Sequence, residues 1–111
     1  MTDAISSALQ LALHGLSDRA RTTNDNLANV ETPGYIAKTT DFETNLKQAL
    51  NGNTAVNLNP THLESTEPTT TSGNNVNIDN ETVTAIETEL RYQSMIEAMN
   101  AKFQILKNSI G

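Results

Sequence analysis

Residues 24–35 read NDNLANVETPGY. Upstream of this stretch the apolar residues keep a helical rhythm and downstream they lose it, so a long helix must give way here. Asn24, Asn26 and Asn29 break the rhythm with side chains that hydrogen-bond to backbone or across an interface. Pro33 biases Thr32 away from the helical region, and Gly34 can take a backbone conformation closed to larger residues. Together they are expected to stop the helix and turn the chain. Tyr35 then offers a large face with a hydroxyl for polar anchoring. By itself the stretch reads as a rigid turn followed by an aromatic anchor, a hinge of fixed shape.

Towards the N-terminus Ile5, Leu9, Ala12, Leu16, Ala20, Thr23, Leu27 and Val30 recur at helical spacing, which lines one face of a helix of roughly eight turns. Leu11 and Leu13 widen the stripe. Thr2 is placed to act as N-cap, with Asp3 in the favourable first turn. Gly15 reads as the weak link, costing about 1 kcal/mol relative to Ala within a helix. Towards the C-terminus Val83, Ile86 and Leu90 precede Tyr92, Ile96, Met99, Phe103, Leu106 and Ile110, whose alternating four- and three-residue steps approach a coiled-coil period. The slip from Leu90 to Tyr92 moves the stripe around the helix. Either the apolar face is wide there, or two surfaces are served. Asp79 is expected to cap this helix, Glu81 suits its start, Lys102 and Lys107 suit its end, and Gly111 would terminate it.

The middle is aperiodic. Thr40-Asp41-Phe42-Glu43 reads as a capping box, predicting a short helix over 41–50 with Asn51-Gly52 as its stop. From Asn51 onward only Val56, Leu58 and Leu63 offer apolar anchors before Asn75, while Pro60, Pro68 and Gly73 punctuate the run. An exposed, mobile loop or a short irregular strand is expected, disordered alone or waiting for a partner. The fold class is therefore mostly α. Long N- and C-terminal helices pair as a coiled-coil-like hairpin, a short helix follows the TPGY turn, and the middle loop is irregular or disordered. The parts divide at 1–38, 39–78 and 79–111.

Composition narrows the functions. With 111 residues, only 4% aromatic and no Trp, the chain can bury one small core, and burial against partners is a natural supplement. A net charge of −6 with scattered basic residues argues against a nucleic-acid partner. No cysteine means no disulfide framework and no thiolate metal site. Neither a cleaved signal nor an apolar run long enough to span a bilayer is expected. His14 reads as a partly exposed helix residue, and His62 with Glu64 and Glu67 as a solvated loop rather than a metal site. Asn80-Glu81-Thr82 fits a glycosylation sequon but is more simply a helix start. Glu87 and Arg91 are spaced for a weak surface pair. No phosphate loop, HExxH pair or nucleophile elbow is present, so no catalytic residue, cofactor or metal is assigned.

NLANVETPGY at 26–35 resembles the N-terminal signature of bacterial flagellar axial proteins, the rod, hook and hook-associated group. TTDFETNL at 39–46, NNVNIDNE at 74–81 and LRYQSMIEAMNAKFQILKNSIG at 90–111 resemble the flagellar basal-body rod protein B family within that group. The resemblance implies a structural subunit of the proximal rod. It would be exported unfolded by the flagellar type III apparatus without signal cleavage, and would lie in the periplasmic basal body. Its implied partners are copies of itself, other rod proteins, the rod adapter protein, the membrane-ring base and the export apparatus. Asn26, Asn29, Thr32, Pro33, Gly34 and Tyr35 match the shared N-terminal motif, and Leu90, Tyr92 and Gln93 the C-terminal one. Leu9, Leu16, Leu27, Ile96, Met99, Phe103, Leu106 and Ile110 are the expected helix-interface positions. The rival reading is a small helical adaptor or chaperone-binding protein, which would form a closed complex instead of an open helical array.

Overall fold

The computed structural model describes residues 4–51 and 59–110, with side chains from Ser6 onward. Three helices and two short strands follow in the order α1 (Ala4–Ala28), β1 (Lys38–Asp41), α2 (Glu43–Leu50), β2 (Thr61–Glu64) and α3 (Ile78–Ile110). The fold is mostly α-helical, with the long terminal helices in contact with each other. Asn26 near the end of α1 bonds Glu81 near the start of α3, while Leu16 and Ala12 meet Tyr92 and Met95. The two helices are thus antiparallel, and the molecule is elongated at 62 × 26 × 14 Å.

The buried side of α1 carries Ala8, Leu11, Ala12, Leu16, Thr23 and Asn26. Their three- and four-residue spacing keeps them on one face, and their small size lets α3 come close. The apolar core is small. Ala12, Leu16 and Phe42 form its centre, with Leu46 of α2 and Tyr92 and Met95 of α3 packed on it. Phe42 sits between β1 and α2 and lies flat against α1 at Gly15. A Cβ added there would come within 2.6 Å of the ring Cδ2, and closer still to Cγ and Cδ1. Gly15 is therefore not simply a weak point of the helix. It leaves the space that the ring occupies.

α1 ends at Ala28, inside the stretch expected to stop it and ahead of Pro33 and Gly34, and residues 29–34 continue as turns closed by Val30 N–H to Leu27 O and Thr32 N–H to Asn29 O. Several local expectations need correction. Thr40 is not a cap. It is buried in β1, where its hydroxyl meets Thr22 and Asp18 of α1. α2 begins at Glu43, and Asp41 receives the Thr44 amide and hydroxyl. For α3 the capping side chain is Asn77, two residues before the expected Asp79, with its Oδ1 accepting from the Asn80 amide. Glu87 and Arg91 do not close their i,i+4 pair. The proposed Thr2 cap, Asp3, Gly52, Val56, Leu58 and the Gly111 terminus fall outside the described residues.

The middle segment is also tied down where it is described. β2 pairs antiparallel with β1, Lys38 opposite Glu64 and Asp41 opposite Thr61, so part of the expected loop is a short strand. Every residue of β2 is exposed, which is why no apolar alternation announced it. The pair is clipped to α1 by His62 Nε2, which meets the Asp18 carboxylate. Arg19 reinforces the same region. Its guanidinium donates to Thr40 O and Glu43 Oε1, both at 2.7 Å, and lies 4.8 Å from the centre of the Phe42 ring. Burial would raise the Glu43 pKa, but the hydrogen bond and charge of Arg19 outweigh it and hold the carboxyl below its usual range.

Candidate functional site

The most elaborated part of the molecule is the joint between α1 and the start of α3. Asn26 is its centre, a side chain only 1% exposed. Its Oδ1 accepts the Lys38 amide at 3.0 Å and its Nδ2 donates to the Lys38 carbonyl at 2.8 Å, so one carboxamide stands in for a strand neighbour. The same Oδ1 accepts from the Tyr35 hydroxyl at 3.2 Å, and the same Nδ2 donates to Glu81 Oε1 at 3.0 Å. Turn, strand and both long helices therefore meet on one asparagine. No apolar residue could hold all four partners.

Two further asparagines complete the joint from the other side. Asn74 Nδ2 donates to the carbonyls of Asn29 and Thr32, both at 2.8 Å, while its Oδ1 accepts the Val76 amide. It adds a second hydrogen bond to carbonyls that the turn amides of Thr32 and Tyr35 already engage, fixing the turn to the segment before α3. Asn75 Oδ1 accepts the Ala37 amide at 2.6 Å, and its Nδ2 donates to the carbonyls of Ser65 and Glu67. Gly34 and Gly73 both adopt positive φ, at 75° and 82°, and the Gly34 amide donates to Ser72 O. Their turns touch, a close approach that glycine permits. Among the described residues no buried side-chain polar atom lacks a hydrogen bond.

The electrostatics agree with a structural use of these groups. Burial raises the Tyr35 pKa, and the carboxylates of Asp25 and Glu81 raise it further, so the phenol stays a donor to Asn26. Burial also raises the pKa of Glu81, with the Asn26 hydrogen bond partly offsetting it. Nothing here resembles a reaction centre. His14 is exposed on α1 and His62 is engaged with Asp18. Among the described residues no group of three or more His, Asp or Glu side chains is placed to hold a metal ion, and no helix is long and apolar enough to cross a membrane. The cleft between α1, β1 and α3 is lined by Thr22, Thr23, Thr40, Thr84 and Thr88 with charges of both signs, but by no His or Asp.

The residues singled out from sequence separate into three groups. Asn26, Asn29, Thr32, Pro33, Gly34 and Tyr35 come together at the joint, although Pro33 is exposed and Asn24 faces solvent. Asn29 is local, bonding Asp25 O and accepting from the Thr32 hydroxyl. Leu16 and Tyr92 are in the core cluster, and Leu9, Leu27 and Met99 are half-buried. Leu90, Gln93, Ile96, Phe103, Leu106 and Ile110 are exposed. The residues missed are Asn74 and Asn75. A pair of adjacent asparagines ahead of a helix was the available signal, because carboxamides are suited to satisfying irregular backbone.

Fold and joint together define an elongated, mostly α-helical protein whose buried polar side chains tie turn, strand and helices together. No protein-family model matches the chain. Over 112 aligned residues it is 28% identical to the flagellar basal body rod protein FlgB of Bacillus subtilis (strain 168), with 89% of this chain and 87% of that protein covered. The chain is thus a remote relative of a flagellar rod protein. That relationship and the helical fold support a structural role of the flagellar rod or axial kind.

Proposed function

We propose that the chain is a structural subunit of the proximal rod of the bacterial flagellar basal body, polymerising with other rod proteins into the axial shaft. The observation that carries this is the end-to-end likeness to the Bacillus subtilis rod protein. The rigid Asn26–Asn74–Asn75 joint and the exposed apolar residues of α3 support it, because a subunit that transmits torque needs a fixed shape and surface left for neighbours. In this reading the chain reaches the periplasm unfolded through the flagellar export apparatus. It then meets the rod adapter protein, the membrane-ring base and other rod subunits, with α1 and α3 pairing in coiled-coil fashion within the shaft.

The roles assigned to single residues follow. Asn26, Asn29, Thr32, Pro33, Gly34 and Tyr35 set the angle at which the chain leaves α1. Leu9, Leu16, Leu27 and Tyr92 hold the helix pair, while Leu90, Gln93, Ile96, Met99, Phe103, Leu106 and Ile110 are offered to neighbours. Deletion of the gene followed by imaging of isolated basal bodies tests this. The expected result is a membrane ring without a rod. An intact rod overturns the assignment and leaves a small helical adaptor as the better reading.

A further inference from the structure

α3 carries two exposed apolar patches that differ in position, direction and flanking charge. Val83, Ile86 and Leu90 are 54%, 57% and 60% exposed near its start. Phe103, Leu106 and Ile110 are 57%, 46% and 87% exposed near its end. At about 100° per residue the second patch continues the face of Tyr92 and Met95, which packs on α1. The antiparallel register that places Asn26 by Glu81 brings Ala4, the first described residue of α1, level with roughly residue 103 of α3, so this patch lies at and beyond the described end of α1. The first patch points roughly 160° away from the second. The sequence slip between Leu90 and Tyr92 therefore marks two surfaces and not one wide face.

The two patches match each other. Each is an i, i+3, i+7 triad, so their apolar side chains can interdigitate over the same two turns. Glu87 lies beside the first and Lys107 beside the second, each one residue after the middle apolar side chain. Neither is engaged in an ion pair among the described residues. The acidic residues Asp79 and Glu97 bracket the first patch along its own stripe, which disfavours its pairing with a second copy of itself. It favours a partner surface that brings a cation.

We infer that the Phe103–Leu106–Ile110 patch of one copy docks on the Val83–Ile86–Leu90 patch of the next, with Lys107 of one meeting Glu87 of the other. This deepens the rod reading, on which it rests, by assigning a contact between like subunits. Because the patches face opposite ways on one helix, no two-fold pair can use both at once. Every docked pair leaves one patch of each kind free, so the contact propagates as an open chain.

The absence of cysteine makes this directly testable, since introduced thiols would be the only ones. Ile86→Cys and Leu106→Cys variants of the full chain are purified and oxidised with diamide, separately and mixed, with circular dichroism showing the fold retained. The mixture is expected to give a disulfide-linked dimer and each variant alone none. The double variant should give a ladder of higher species. Adding Glu87→Lys to the first partner should cut the cross-linked yield several-fold, and Lys107→Glu in the second should restore it. Either single variant linking to itself as fast as the mixture, or a mixture that stays monomeric, overturns the contact. A rod lost on gene deletion without the Ile86–Leu106 cross-link would sink this contact alone and leave the rod assignment standing.

Discussion

Replacing Gly15 with Ala should destabilise the protein, against the rule for helix interiors. In an unconstrained helix the change gains about 1 kcal/mol. Here the new Cβ would overlap three atoms of the Phe42 ring, a side chain only 4% exposed and held by Leu16, Ala12 and the partly buried Leu46, Tyr92 and Met95. Overpacking of this kind costs about 1–3 kcal/mol. A displaced ring also leaves the Arg19 guanidinium, for a further cost of about 0.5–1 kcal/mol. The net expectation is a loss of about 0.5–3 kcal/mol, a drop of roughly 2–13 °C in melting temperature for a domain of this size. The sign should reverse once the ring is gone. Phe42→Ala alone should cost about 3–5 kcal/mol, and adding Gly15→Ala to it should recover about 1 kcal/mol. Urea unfolding of the four proteins measures the cycle. A stabilising Gly15→Ala in the wild-type background would refute the claim that this glycine exists to seat the ring.

Asn26→Asp keeps size but turns a double donor into an acceptor facing Lys38 O and the Glu81 carboxylate, and should cost about 2–4 kcal/mol by urea unfolding. Gly34→Ala forces an alanine into φ 75° and should cost about 1–2 kcal/mol, seen as a fall in the urea midpoint without change in slope. Glu81 has a raised carboxyl pKa, so the folded state holds its proton more tightly than the unfolded chain does. Its contribution to stability is present in acid and is lost as pH rises from about 4.5 through the raised value. Glu81→Gln should abolish that part of the pH dependence and be more stable than wild type at pH 7, since Gln Oε1 still accepts from Asn26. Melting curves across pH 4 to 7 check this, and an unchanged pH slope would contradict it.

Both long helices were legible because their apolar spacing persists over many turns, and the Thr32-Pro33-Gly34 turn was legible because those residue types have few backbone options. The short strands were less so: β1 was not expected, and β2 only as a short strand offered beside a loop. β1 reads KTTD and β2 reads THLE, too brief and too polar for alternation to register, and their pairing depends on a partner 20 or more residues away. Thr40 illustrates the ambiguity: a threonine three residues before a glutamate fits a capping box, yet tertiary contacts with Thr22 and Asp18 draw it into a strand. Gly15 was misread because helix propensity sees only the helix, while its use lies in Phe42, far along the chain. At the joint, Asn26 and Tyr35 stood out locally, but Asn74 and Asn75 acquire meaning only from the backbone groups they reach.

The dependence of the α1 terminus on Asn74 has a consequence for the order in which the chain can fold. The carbonyls of Asn29 and Thr32 each accept one turn amide and gain a second hydrogen bond from a side chain more than 40 residues further on. A chain delivered N-terminus first can form α1 and its closing turns by local bonding, but those turns are not fixed against the rest of the molecule until the segment just before α3 arrives. Closing a loop of that size is slow relative to helix growth. Completion of the joint therefore reports that about two-thirds of the chain is present, so a copy truncated ahead of Asn74 would carry α1 without the angle that α1 needs.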